Sequence, residues 1–219
     1  MTALPEKLEA NDASDLGAQL ENMRVEVAPE LRNRTNASVE WYTLRYGLLR
    51  ALQRVPHGHC RIEKRESPDF LLRACHQTIG IEITELRGPS AGRAQARAQA
   101  QKLDVYFIGK TALTDAKPTS KALEHELRHG GPAFTHDEIE RIAKDRIIER
   151  IAAKTATTSS RLWTLCDQKW LFIYDNLSFA GCKMERVADW VAQSLPPTPF
   201  DMILLVTEEK NIIITAPNV

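Results

Sequence analysis

The chain has 219 residues, 43% of them hydrophobic and 26% charged, with a formal net charge of zero. This length bounds one domain with room for an insertion, and the composition is that of a globular protein. Charge neutrality excludes nucleic-acid recognition by global basicity, and no run approaches the ~18 apolar residues of a membrane-crossing helix.

Taken in chain order, residues 1–35 carry little periodic apolar signal and read as a flexible, acid-rich leader, with no apolar core of the secretory type. Ser38 reads as the N-cap of a helix, VEWYTLRYGLLRALQRV, in which Trp41, Leu44, Leu48, Leu52 and Val55 recur at helical spacing until Pro56 and Gly58. Three strand-like runs follow at 59–65, 68–74 and 78–86. In the last, Ile79, Ile81 and Ile83 alternate with Gly80, Glu82 and Thr84, a period of two. Residues 88–134 break the pattern and read as a helical insertion. It contains an Ala-rich helix beginning in SAGRAQARAQAQKLDVYF, a loop, and a short helix around KALEHELRH ending at Gly130-Gly131.

Thr135 and Glu138 then form a T-x-x-E capping box for a helix with Ile139, Ile142, Ala143, Ile147 and Ile151 on one stripe. WLFIYD is a continuous apolar strand, MERVADWVAQSL a helix, and DMILLVTEE and NIIITAP two closing strands. The order predicts an α/β domain over 36–219, with a mixed central β-sheet flanked by helices. Cys60, Cys75, Cys166 and Cys182 are scattered, so they read as small buried residues of a reducing compartment. The expected location is therefore the cytoplasm, away from membranes, and oligomeric state is left open, a homodimer included.

Two carboxylates interrupt the apolar strands in PDFLLRACHQTIGIEITELR. Glu82 shares a strand face with Thr84, and Asp69 lies beside them if the second and third strands form a hairpin. Two close carboxylates stay ionised only with a cation between them. Hard oxygen ligands of this kind suit Mg²⁺ or Mn²⁺, which can polarise a phosphodiester and activate a water.

PDF followed by GIEIT, after a helix bearing Glu40, resembles the PD-(D/E)XK nuclease superfamily over roughly 38–86 and 135–175. The resemblance implies a restriction-endonuclease-like core and metal-dependent cleavage of nucleic acid, favouring DNA over RNA. It also implies Asp69, Glu82 and the Ile83 carbonyl as metal ligands, with Glu40 as the helix carboxylate. Read from the helix alone, Glu40 is equally a first-turn acid favoured by the macrodipole. Where the superfamily has lysine, this chain has Thr84. Lys154, on the inward stripe of the later helix, is the candidate for the missing charge, unless it is simply a lysine favouring a helix C-terminus. Lys64, Gln95 and Gln99 are weaker candidates. Arg45, Arg61, Lys64, Arg65 and Arg73, from a locally basic stretch, are the candidate phosphate contacts. Loss of the lysine also admits a catalytically inactive binding or regulatory module on the same fold.

A rival motif is His125–His129, HELRH, which matches the H-E-x-x-H of zinc peptidases. Arg128, the Gly130-Gly131 stop and the misplaced His136 argue against that reading.

Overall fold

A computed structural model describes residues 4–25, 35–86, 119–129, 134, 137–158, 163, 165–175, 182–207 and 212–214. Among the described residues, seven strands form one sheet in chain order: β1 (Lys7–Ala10), β2 (Cys60–Lys64), β3 (Phe70–Ala74), β4 (Gln77–Glu85), β5 (Gln168–Tyr174), β6 (Met202–Val206) and β7 (Ile212–Ile214). β1 to β4 run antiparallel to one another, β4, β5 and β6 run parallel, and β7 turns back antiparallel. The helices are α1 (Ala13–Asn22), α2 (Asn36–Ala51), α3 (Ser120–His129), α4 (Glu138–Thr157) and α5 (Met184–Ser194). The expected mixed sheet flanked by helices is therefore what the chain forms.

Two cores lie on the two sheet faces. α1 and α2 cover one face, where Trp41, Leu44, Leu48, Ile62, Leu72, Ile79, Ile81 and Phe172 are buried. α4 and α5 cover the other face over β5, β6 and β7, through Ala143, Ile147, Ile151, Val187 and Val191 against Leu171, Ile203 and Leu205. β5 and β6 are covered on both sides, which is why they read as unbroken apolar runs. α2 approaches β5 closely enough that a Cβ on Gly47 would stand 2.5 Å from the Phe172 ring.

Several expectations are corrected. Residues 4–25 of the leader are part of the fold: β1 adds to the sheet edge beside β2, and Leu16 and Leu20 of α1 are fully buried against α2. Asp12 caps α1 by accepting the Asp15 amide at 2.9 Å, and Arg45 donates to the Leu20 and Glu21 carbonyls at its far end. A four-residue strand and a ten-residue helix are too short to show a period. α2 starts earlier than expected: Thr35 is its cap and accepts the Ser38 amide, while the Ser38 hydroxyl donates back to the Thr35 carbonyl. α4 begins at Glu138 after Asp137, so Glu138 occupies the first helical position and cannot close a capping box; Thr135 lies outside the described residues. Cys75 is exposed, in a turn at φ 54°, and of the four free cysteines only Cys60 is buried. The Ala-rich start of the insertion lies outside the described residues.

The docking of α1 has a direct measure. Leu20→Ala should destabilise the protein by about 2–5 kcal/mol, as deletion of a buried leucine does. Unfolding in denaturant would read this, and a loss below about 0.5 kcal/mol would mean that α1 is not seated in the core.

Candidate active site

The β3–β4 hairpin positions the two acids. Phe70 pairs with Ile81, so the next step of the register sets Asp69 opposite Glu82. The alternation that points Ile79, Ile81 and Ile83 into the α1–α2 core points Gly80, Glu82 and Thr84 to the other face. Asp69 lies one residue before β3 and falls on that same face. The Ile83 amide donates to Asp69 Oδ2 at 2.7 Å, which fixes the carboxylate across the strand gap.

Lys154 arrives from α4. Its stripe continues Ile147 and Ile151, both fully buried, and its ammonium donates to Glu82 Oε1 at 2.6 Å. The positive charge at the site thus comes from a helix 72 residues away in sequence. Thr84, half-buried on the same face as Glu82, brings no charge. Glu82 keeps one unspent atom: Oε2 is buried and has no hydrogen-bond partner.

Burial first, and then the neighbouring Glu82 charge, push the Asp69 carboxyl up to about 7. The Ile83 amide and Lys154 pull the other way, and Glu40 adds a further small rise. A buried acid beside a second acid is the arrangement that a cation would relieve. Asp69 Oδ1 and Glu82 Oε2 are the oxygens left over by the protein's own bonds, so the donor set fits a hard divalent ion. Among the described residues, no group of three or more His, Cys, Asp and Glu side chains could hold a metal.

Glu40 makes its ion pair with Lys64. It lies on α2, and its Oε2 takes Lys64 Nζ at 2.8 Å. Lys64 also donates to the Arg65 carbonyl at 2.8 Å and the Asp69 carbonyl at 3.3 Å. It therefore ties α2 to the backbone ahead of β3 and is not free to act at Glu82. Arg45, bound to the α1 carbonyls and lying over Tyr46, belongs to α2 and the opposite sheet face. Arg61, Arg65 and Arg73 stand on the carboxylate face, gathered on Glu63.

Sequence reasoning missed the wall of the site. A Cβ on Gly80 would meet Trp163 Cζ3 at 2.8 Å, Cys166 Sγ at 2.9 Å and Pro68 Cγ at 3.2 Å. Trp163 and Cys166 are thus seated on β4 two residues from Glu82, beside the residue that precedes Asp69. A lone glycine inside a strand was the available signal, since it marks a close approach. His125 and His129 do share a helix face, with ring centroids 4.9 Å apart, but both are exposed and no third ligand joins them among the described residues.

The Asp69 shift has a thermodynamic signature. Its folded pKa is raised, so the native state holds a proton that the unfolded chain releases above about 3.8, and stability falls as pH rises from there to about 7. The whole effect is on the order of 4 kcal/mol. Asp69→Asn keeps an acceptor for the Ile83 amide and removes the charge. It should unfold several degrees above the parent at pH 8 and show no gain at pH 4, as read by thermal melts across that range.

The chain matches no family model, and no curated protein and no solved structure matches it. No helix among the described residues is long and apolar enough to cross a membrane.

Proposed function

We propose that this chain is a divalent-metal-dependent nuclease of the PD-(D/E)XK type, hydrolysing a phosphodiester bond of nucleic acid, with DNA favoured over RNA. The observation that carries the reading is the trio Asp69, Glu82 and Lys154. Two acids at adjacent strands and one ammonium from α4 meet on one sheet face.

Asp69 Oδ1, Glu82 Oε2 and the Ile83 carbonyl are the oxygens that would hold Mg²⁺ or Mn²⁺. When bound, the ion would polarise the phosphoryl oxygen and make the attacking water more acidic. The protein's own groups supply the rest. Lys154 donates to Glu82 and offers a positive charge where negative charge grows on the phosphoryl oxygens. The Thr84 hydroxyl can accept from or donate to a water one step along the same face. The Ile83 amide keeps Asp69 aimed at Glu82. Arg61, Arg65 and Arg73 supply positive charge for the phosphate backbone on that face.

The competing reading is a binding module on the same fold. It draws on one feature: the Lys154 charge is already taken up by Glu82. Incubation of the protein with plasmid DNA, single-stranded DNA and RNA, in Mg²⁺ or Mn²⁺, separates the two. Cleavage should occur, should stop in EDTA, and should fall at least ~10²-fold in Asp69→Ala, Glu82→Ala and Lys154→Ala. Either ion should also raise the melting temperature of the parent at pH 8 but not that of Asp69→Asn. Cleavage that survives both acid substitutions would sink the nuclease assignment. Metal-dependent stabilisation without cleavage of any substrate would favour the binding module.

A further inference from the structure

β1, β2 and β3 carry charge on the carboxylate face of the sheet. Lys7 lies opposite Glu63 and Glu9 opposite Arg61. Arg61 in turn lies directly opposite Arg73. Like charges facing each other on neighbouring strands destabilise a sheet, so this pair needs an anion. Glu63 is that anion. One of its oxygens takes Arg61 Nη2, and the other takes Arg65 Nη2 at 2.7 Å and Arg73 Nη1 at 3.3 Å. Three guanidiniums converge on one carboxylate, which leaves the cluster with two positive charges in excess.

The cluster has donor capacity to spare. Arg61 Nε is buried without a hydrogen-bond acceptor, 3.9 Å from Glu9 Oε1. The Arg65 and Arg73 side chains are 39% and 47% exposed, whereas Glu63 is 14% exposed beneath them. A shallow groove of about 690 Å³ runs over this region, lined by the cations Lys7, Arg61, Lys64 and Arg65 and by three glutamates, Glu63 among them. The cluster also has a defined place relative to the acids. Lys64 pairs with Phe70, so Arg65 faces Asp69, and the Arg65 amide donates to the Asp69 carbonyl at 2.8 Å. Arg65 at the end of β2, Asp69 just ahead of β3 and Glu82 on β4 thus lie side by side across the sheet, each ~4.8 Å from the next.

We propose that Glu63 is a built-in phosphate mimic, gathering Arg61, Arg65 and Arg73 into an anchor for a nucleic-acid backbone phosphate beside the Asp69–Glu82 pair. The proposal rests on the nuclease reading for its location and deepens it by naming the groups that grip the substrate. Guanidiniums suit the task because their planar forks match phosphate oxygens two at a time. Glu63 keeps the forks gathered when no substrate is present and shares them when a phosphate arrives.

Binding of a short fluorescent DNA duplex, measured by anisotropy in EDTA over a range of salt, tests this without any cleavage. Arg65→Ala/Arg73→Ala should flatten the salt dependence of log K by about 0.9, the share of the one phosphate that the anchor grips. Arg65→Lys/Arg73→Lys should keep the parent slope, because the charge stays, but bind several-fold more weakly, because the forks are lost. Glu63→Gln should bind more tightly, with a slope steeper by up to about 0.9. Circular dichroism melts confirm that each variant is folded. An unchanged slope in the double alanine variant overturns the anchor, as does weaker binding by folded Glu63→Gln or a preference for poly-glutamate over the duplex. If the anchor fails while Asp69-dependent cleavage persists, the nuclease reading stands; if the anchor behaves as described and nothing is cleaved, only the catalytic reading falls.

Discussion

The hydrogen bond from the Ile83 amide to Asp69 Oδ2 closes the β3–β4 hairpin at its open end, and everything at the site follows from that register. One step of slip would send Ile79, Ile81 and Ile83 to the acid face and Glu82 into the core. The isoleucines resist such a slip, since each contributes ~1.5–3 kcal/mol on full burial and all three are buried. That sum exceeds the ~4 kcal/mol by which burial and Glu82 oppose ionisation of Asp69. The apolar face therefore dictates the geometry, and the acids are held close whether or not their own interaction is favourable.

The second constraint is the parallel step from β4 to β5. A parallel pair cannot be joined by a tight turn, so the chain must leave the sheet and return along a crossover. α4 lies in that crossover. Its stripe of Ala143, Ile147 and Ile151 packs on the far side of β5 and β6, and the next inward position is Lys154. The same packing that covers the sheet thus delivers the ammonium to Glu82.

Much of this was legible from residue types alone. The isoleucine alternation in GIEIT gives the face of Glu82, and the i, i+4 stripe of α4 gives the inward direction of Lys154. The hairpin follows from the short spacing between the two runs. What was not legible depended on contacts that leave no period. β1 and α1 are too short for a pattern, yet Leu16 and Leu20 are seated in the main core. By sequence, Arg45 belongs to the locally basic stretch that holds the candidate phosphate contacts. It is instead consumed by the carbonyls that end α1. Glu40 sat at the expected helix position but is neutralised by Lys64, a partner 24 residues away. Glu63 drew no attention as a site residue because its role is set by three arginines from two strands and a turn.

Carrying the ammonium on α4 rather than at position 84 changes what the site depends on. A lysine on β4 would share a rigid ladder with Glu82, and its position would be set by strand register alone. Lys154 is set by how α4 packs on the sheet, through Ile147 and Ile151 beneath it. Its ammonium also balances Glu82 in a pocket where Asp69 is already reluctant to ionise. The trio is thus one electrostatic unit built from two independent packing layers. Loosening the α4 core would withdraw the one cation bonded to the two acids among the described residues, and the Asp69 carboxyl would then rise further from its ordinary range. The stability of the helical layer and the charge state of the sheet face are therefore coupled through a single 2.6 Å contact.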